Sequence, residues 1–205
     1  MSNYIKGKER TADEDAEIVS LCKKGDVDVF EVLVRKHQKR SLNIAYRMVA
    51  NYEEACEVVQ DAFVSAYRNI KNFEGRARFS TWLYTIVVNL SRNRLKQLNI
   101  RGHLEGPSFD DPVSGDDSVI KIEPASGEPS VLERLERRDL QKRVQECINS
   151  LDGESKEVVI LRDIQGFSYD EISDILKIAE GTVKSRLFRA REELKNRLKK
   201  MVGEL

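Results

Sequence analysis

The chain has 205 residues, with 35 Lys or Arg against 35 Asp or Glu, so its formal net charge at pH 7 is zero. That length allows one or two domains, each with a core of its own, and neutrality excludes attraction of a polyanion by bulk charge alone. Cys22, Cys56 and Cys147 form no CxxC pair and only His37 and His103 accompany them, a spacing that excludes a zinc site and fits a reducing compartment.

Apolar residues recur with helical period almost throughout, so the expected fold class is all-α. After an N-terminal extension, 1–12, a first short helix is expected from about Asp13 to Lys24, with Gly25 as its stop. The second helix carries Phe30, Leu33, Val34, His37, Ser41, Ile44, Ala45 and Met48 on one face. His37 has no partner at ligand spacing and reads as a core or boundary histidine.

The third helix has Ala55, Val58, Val59, Ala62, Phe63, Ala66, Tyr67 and Ile70 on its inner face, and Asn51 with Glu54 resembles a capping box at its start. Glu57, Gln60, Asp61 and Val64 line the opposite face. A charged back face is usually only solvated, yet the apolar Val64 among acids marks a candidate docking surface.

The stretch "NFEGRARFSTWLYTIVVNLSRNRLKQ", Asn72 to Gln97, opens with a basic loop bearing Arg76 and Arg78. Ser80 is the expected cap of a fourth helix ending near Gln97. This helix is apolar over most of its circumference, which implies burial on several sides; its one polar stripe is Thr85, Asn89, Arg92 and Lys96. Donors in such a row suit phosphates and base edges, although a solvent-facing seam would look the same.

Residues 102–130 read as a linker. From Glu105 to Ser130 there are seven acids against Lys121 alone, together with all four prolines of the chain, and helical periodicity is lost. At about 3.3 Å per residue this segment spans at most roughly 85 Å, enough for domains 13–101 and 131–205 to grip separate sites.

The second domain is expected to begin with a helix from about Val131 to Ser150 that uses Leu132, Leu135, Leu140, Val144, Cys147, Ile148 and Leu151. Another helix, about Glu154 to Ile164, stops before Gly166, and Ser168 with Glu171 forms a capping box for the next. Ala179, Glu180 and Gly181 are expected to turn the chain, and Thr182 to cap a last helix opening "GTVKSRLFRARE". Val183, Leu187, Ala190, Leu194 and Leu198 form its inner stripe, while Lys184, Ser185, Phe188 and Arg189 point away. Helix, short turn and basic helix make a helix-turn-helix, whose second helix enters the major groove. There Phe188 can meet a thymine methyl while Lys184, Arg186 and Arg189 neutralise phosphates or read guanine.

Two stretches, "YEEACEVVQDAFVSAYRNIKNFEG…FSTWLYTIVVNLSRN" and "LRDIQGFSYDEISDILKIAEGTVKSRLFRAREEL", closely resemble the second and fourth conserved regions of bacterial extracytoplasmic-function sigma factors of the sigma-E type. The resemblance implies that Glu57, Gln60, Asp61 and Val64 dock on core RNA polymerase. It further implies that Arg76, Arg78, Thr85, Asn89, Arg92 and Lys96 open and read the minus-ten element as duplex and as non-template single strand. Lys184, Ser185, Arg186, Phe188 and Arg189 would read the minus-thirty-five element. It also implies an anti-sigma factor, often membrane-tethered, and a linker that threads the polymerase cleft. One departure is "SLDGES" before the helix at Glu154, where many relatives carry a proline; Gly153 predicts a looser turn there.

A conventional helix-turn-helix regulator would not need the outer face of the third helix or the basic fourth helix. An enzyme fits worse: no phosphate-cradling glycine motif, nucleophile elbow or metal cluster is present, so no catalytic residue, metal, cofactor or small-molecule substrate is expected. With no apolar run near the roughly 20 residues of a membrane span and no signal-peptide pattern, a cytoplasmic protein is the simplest reading, and the family resemblance implies a part in a stress response.

Overall fold

The computed structural model describes residues 13–26, 28–105, 140 and 142–203. Among these the chain is helical: α1 (Ala16–Lys23), α2 (Asp28–Val49), α3 (Tyr52–Asn69), a 3-10 turn (Ile70–Asn72), α4 (Phe79–Glu105), α5 (142–149), α6 (Gly153–Val159) running into a π turn (Ile160–Ile164), α7 (Tyr169–Leu176) and α8 (Glu180–Gly203). The acidic stretch from 106 to 130 lies outside the described residues, as do Val131, Leu132 and Leu135.

In the N-terminal unit α2, α3 and α4 pack on one another, and α1 closes against α2 and the 3-10 turn. The core faces are those the periodicity marks: Leu33, Ile44, Ala45, Ala55, Ala62 and Ala66 are fully buried. α4 supplies Phe79, Leu83, Tyr84, Val87 and Val88, all essentially inaccessible. Truncating a residue such as Leu83 to Ala leaves a cavity and costs about 2–5 kcal/mol. In the C-terminal unit α6 and α7 pack against α8, which buries Val183, Leu187 and Ala190.

The two units do not stand apart. α4 packs on α7, and α2 on the π turn, so the buried apolar residues of both units form one continuous cluster.

Several local expectations change. α4 does not end near Gln97 but continues to Glu105, through residues 102–105 expected in the linker. Tyr67 is 40 % exposed, because its ring meets Phe30 edge-on at the rim of the bundle rather than inside it. Leu140, ahead of α5, and Val144 on it are exposed, while Gln145, Cys147 and Ile148 are buried; the seam with the N-terminal unit lies on the Gln145 side. Leu198 is exposed too.

The turn before α6 is tied locally, for the Asp152 side chain accepts from Ser155 N at 2.9 Å and sets the helix start without a proline. Ser168 and Glu171 do form a full capping box. Asn51 makes only half of one: it accepts from Glu54 N, and the Glu54 carboxylate pairs with Arg94 instead. Lys177, in the left-handed region at φ 57°, makes the helix-turn-helix bend, and Gly181 and Thr182 lie inside the first turn of α8.

Candidate nucleic-acid interface

Between the 3-10 turn and α4 runs the basic loop. Gly75 adopts φ 71° there, a conformation costly to any residue with a Cβ. Both ends of the loop are held by residues flanking or within α1: Lys23 Nζ donates to the Phe73 carbonyl, and Asp13 Oδ2 accepts from Phe79 N at 2.8 Å. Asp13 therefore occupies the capping role expected of Ser80, which sits inside the first helical turn. Phe73, Phe79 and Trp82 pack ring against ring beneath the loop, with centroids 5.0–6.0 Å apart.

A buried polar chain supports this floor. Asp15, 2 % exposed, bonds His37 Nε2 at 2.8 Å and accepts from Lys36 Nζ at 2.7 Å, while His37 Nδ1 lies 3.1 Å from the Tyr84 hydroxyl. An ionised carboxylate can only accept, so Nε2 carries the hydrogen. His37 is thus a core residue with partners on two other segments, and burial pushes the Tyr84 phenol above its ordinary value.

The polar stripe of α4 is continuous with the loop but unevenly available. Thr85 is half-buried and donates to Thr81 O of its own helix. Asn89 and Lys96 are exposed. Arg92 is half-buried and engaged: Nε and Nη2 donate to the two carboxylate oxygens of Glu157 on α6, at 2.5 and 2.6 Å, and Nη1 donates to Asn89 Oδ1 at 3.1 Å. In the loop, Arg78 faces Glu171 of α7 at 3.6 Å, and Arg76 pairs with Glu74.

On α8 the outward face is open. Phe188 is 69 % exposed and Arg189 is exposed beside it, with Nε donating to Ser185 O. Lys184 pairs with Glu180 and lies over the Tyr169 ring, a carboxylate contact that raises its pKa. Ser185 donates back to Thr182 O. Arg186 stands apart from these, half-buried on the flank of the helix and paired with Glu154 at 2.8 Å. Glu57, Gln60, Asp61 and Val64 share the exposed face of α3, with Glu57 touching Arg94 of α4 and Tyr67 extending the apolar part beside Val64.

Sequence reasoning missed Arg40, Lys156 and Glu157 of the seam between units, and saw Glu171 only as a cap and not as the partner of Arg78. No periodicity flags them, because their partners lie far along the chain. Among the described residues no His, Cys, Asp or Glu cluster could hold a metal ion, and no helix is long and apolar enough to cross a membrane.

Helix-turn-helix and four-helix unit together, each with its basic surface, are the architecture of a two-domain promoter-recognition factor. Residues 33–100 match the Sigma-70 region 2 family and residues 141–194 the Sigma-70 region 4 family. The RNA polymerase sigma-H factor of Pseudomonas aeruginosa is 33 % identical over 196 residues, covering 95 % of this chain and 98 % of that one. The ECF RNA polymerase sigma-E factor of Haemophilus influenzae is 31 % identical over 188 residues, 92 % of this chain and 97 % of its own. Among solved structures, the sigma factor RpoE of Bartonella quintana, crystallised with the anti-sigma factor NepR, superposes with a TM-score of 0.59 at 26 % identity, over 84 % of this chain and 98 % of that one. The chain belongs to the extracytoplasmic-function sigma factors of the sigma-70 family. It is a transcription initiation factor that gives RNA polymerase its promoter specificity, and a conventional helix-turn-helix regulator is not favoured, because the match takes in both units.

Proposed function

We propose that the two matched units divide the work of initiation, residues 13–101 docking on polymerase and handling the minus-ten element, residues 131–205 reading the minus-thirty-five element. α3 docks through Glu57, Gln60, Asp61 and Val64. Arg76, Arg78, Thr85, Asn89, Arg92 and Lys96 hold the minus-ten element, first as duplex and then as non-template single strand. Lys184, Ser185, Arg186, Phe188 and Arg189 read the upstream duplex. The observation that carries this reading is Phe188: a large ring left 69 % exposed between cations, on a helix whose other face is buried. Leaving such a ring in water is justified by a partner that covers it.

No group with catalytic chemistry is assigned, in keeping with a factor that borrows the polymerase active site, and no cofactor or metal is required. The place of action is the cytoplasm, where polymerase and promoter meet. The linker is assigned to the polymerase cleft, its acids substituting for nucleic acid. By analogy with NepR on the Bartonella protein, an anti-sigma factor holds this chain inactive; family resemblance extends the reading to one tethered in a membrane, which co-sedimentation of the chain with the membrane fraction tests.

Run-off transcription from genomic fragments, with core polymerase alone and with this protein added, tests the whole reading. New fixed start sites that appear only with the protein support it; their absence, with folded and inhibitor-free protein, overturns it.

A further inference from the structure

Resting on the minus-ten reading of the loop and α4, we propose that α1 and the residues leading into it position the strand-binding loop. Lys23 and Asp13 hold its two backbone ends, and without them the loop loses the shape that selects the minus-ten bases. Both residues precede 33–100, the stretch that matches the region 2 family, so that match gives them no part.

The loop needs support from outside itself. It runs from Phe73 to Phe79, and among the described residues none of Glu74, Gly75, Arg76 and Ala77 enters a backbone–backbone hydrogen bond. A segment with so little structure of its own takes its shape from its ends. At one end Lys23 Nζ donates to Phe73 O; at the other Asp13 Oδ2 accepts from Phe79 N at 2.8 Å. Each tie is made to a backbone atom, so neither draws on a loop side chain.

α1 can hold the loop because it is itself fixed. Val19 and Cys22 are buried in the core of the bundle. Ahead of the helix, Asp13 Oδ1 accepts from Asp15 N at 3.2 Å, and the buried Asp15 carboxylate is gripped by Lys36 Nζ and His37 Nε2. Both oxygens of Asp13 are therefore engaged, and its place is inherited from the core. At the far end of α1 the Lys23 ammonium also stands 5.6 Å from the centre of the Phe73 ring, a cation–π contact. Lys23 is half-buried, whereas Arg76 and Arg78 are exposed. It acts through Phe73 and is a positioning residue rather than a contact to the strand.

The floor beneath the loop carries its own reporter. Trp82, the one tryptophan of the chain, has its ring 5.0 Å from that of Phe73 and 5.8 Å from that of Phe79. A loosened Phe73 exposes this indole to water.

Lys23→Met keeps the aliphatic stem and removes donor and charge; Lys23→Arg keeps both. Full-length wild type and variants are assembled with core polymerase and titrated with a labelled single-stranded 12-mer of the non-template minus-ten sequence from run-off-mapped promoters, and with a scrambled 12-mer of the same composition. Positioning predicts that Lys23→Met binds the native 12-mer about tenfold more weakly, as when a loop always competent becomes so about a tenth of the time. Affinities for the scrambled 12-mer and for core polymerase stay as in wild type. In the free chain Trp82 emission moves to the red and acrylamide quenches it more, and Lys23→Arg restores both readouts. A native-to-scrambled ratio unchanged in Lys23→Met overturns the proposal, and so does an Arg variant as weak as the Met one. Lost affinity with unchanged Trp82 emission overturns it as well, making Lys23 a direct strand contact. Asn89→Ala separates this from the reading on which it rests: if the ratio falls in that variant alone, α1 has no part while α4 still reads the strand. If it falls in neither, the minus-ten assignment fails. Should Lys23→Met lose helicity, Asp13→Ala, with Asp13→Asn as its rescue, takes its place with the same outcomes.

Discussion

Arg92 of α4 and Glu157 of α6, 65 positions apart in sequence, form a two-pronged ion pair at 2.5 and 2.6 Å across the seam between the units. The pair leaves Asn89 and Lys96 as the exposed members of a four-residue stripe whose Thr85 is half-buried and whose Arg92 is engaged. It also raises the pKa of the Arg92 guanidinium, chiefly through its hydrogen bonds to Glu157.

Surface assignments separate cleanly by phenotype. Phe188→Ala and Arg189→Ala are each expected to weaken upstream-element binding by the polymerase complex by about 1–3 kcal/mol, the worth of one good base contact, with core-polymerase affinity unchanged. Asp61→Ala should lower polymerase affinity and leave the free chain's upstream-duplex binding alone. Fluorescence titrations against core enzyme and against duplex measure both; reversed phenotypes would break the assignment.

Asp13→Ala removes the cap of α4 and one of the two ties on the basic loop. We expect a loss of about 0.5–2 kcal/mol in stability, read as a fall in denaturant midpoint. Asp13→Asn keeps a capping oxygen and should recover most of it. An Asn variant as unstable as the Ala one would show that the cap does not hold the helix start.

Lys156 gives the protein a pH signature. Burial lowers its folded-state pKa to about 8 from the ordinary 10.5. Below pH 8 the ammonium is charged in both folded and unfolded chains, and its burial counts fully against folding. Between pH 8 and 10.5 the folded chain has released the proton while the unfolded chain still binds it, so this penalty is relieved as pH rises. Denaturation of wild type and Lys156→Met, at pH 7.5 and at pH 9.5, should show wild type gaining stability relative to the variant at the higher pH. A constant difference would mean that the ammonium is not desolvated.

Ser41 is fully buried, and its hydroxyl has no hydrogen-bond partner among the described residues. Replacing it by Ala removes an unpaired polar atom, so Ser41→Ala should be neutral or stabilising by up to about 1 kcal/mol. A clear fall in melting temperature would point to a partner such as an ordered water.

How much of this was legible in the residues depends on the range of the interaction. Helical period alone marks the buried faces of α2, α3, α7 and α8, since a helix repeats its environment every three to four residues and burial follows that repeat. The capping box at Ser168 and Glu171 and the outward Phe188 are legible for the same reason: their partners, or their lack of them, lie within one turn. The family and its two matched regions follow from such local patterns in a fixed order.

What only the tertiary structure decided are the contacts between segments distant in sequence. Ser80 is a good cap by local chemistry, yet Asp13 takes the role because the packing of α1 brings its carboxylate to Phe79 N. Leu140 and Val144 have a core-like spacing but are exposed, because the seam falls on the Gln145 side of α5. The pairing of Arg92 with Glu157 and the burial of Lys156 belong to the same class. Local periodicity determines which face of a helix is apolar; which charges meet across a seam is set by the packing of whole units, and no short window of sequence contains both partners.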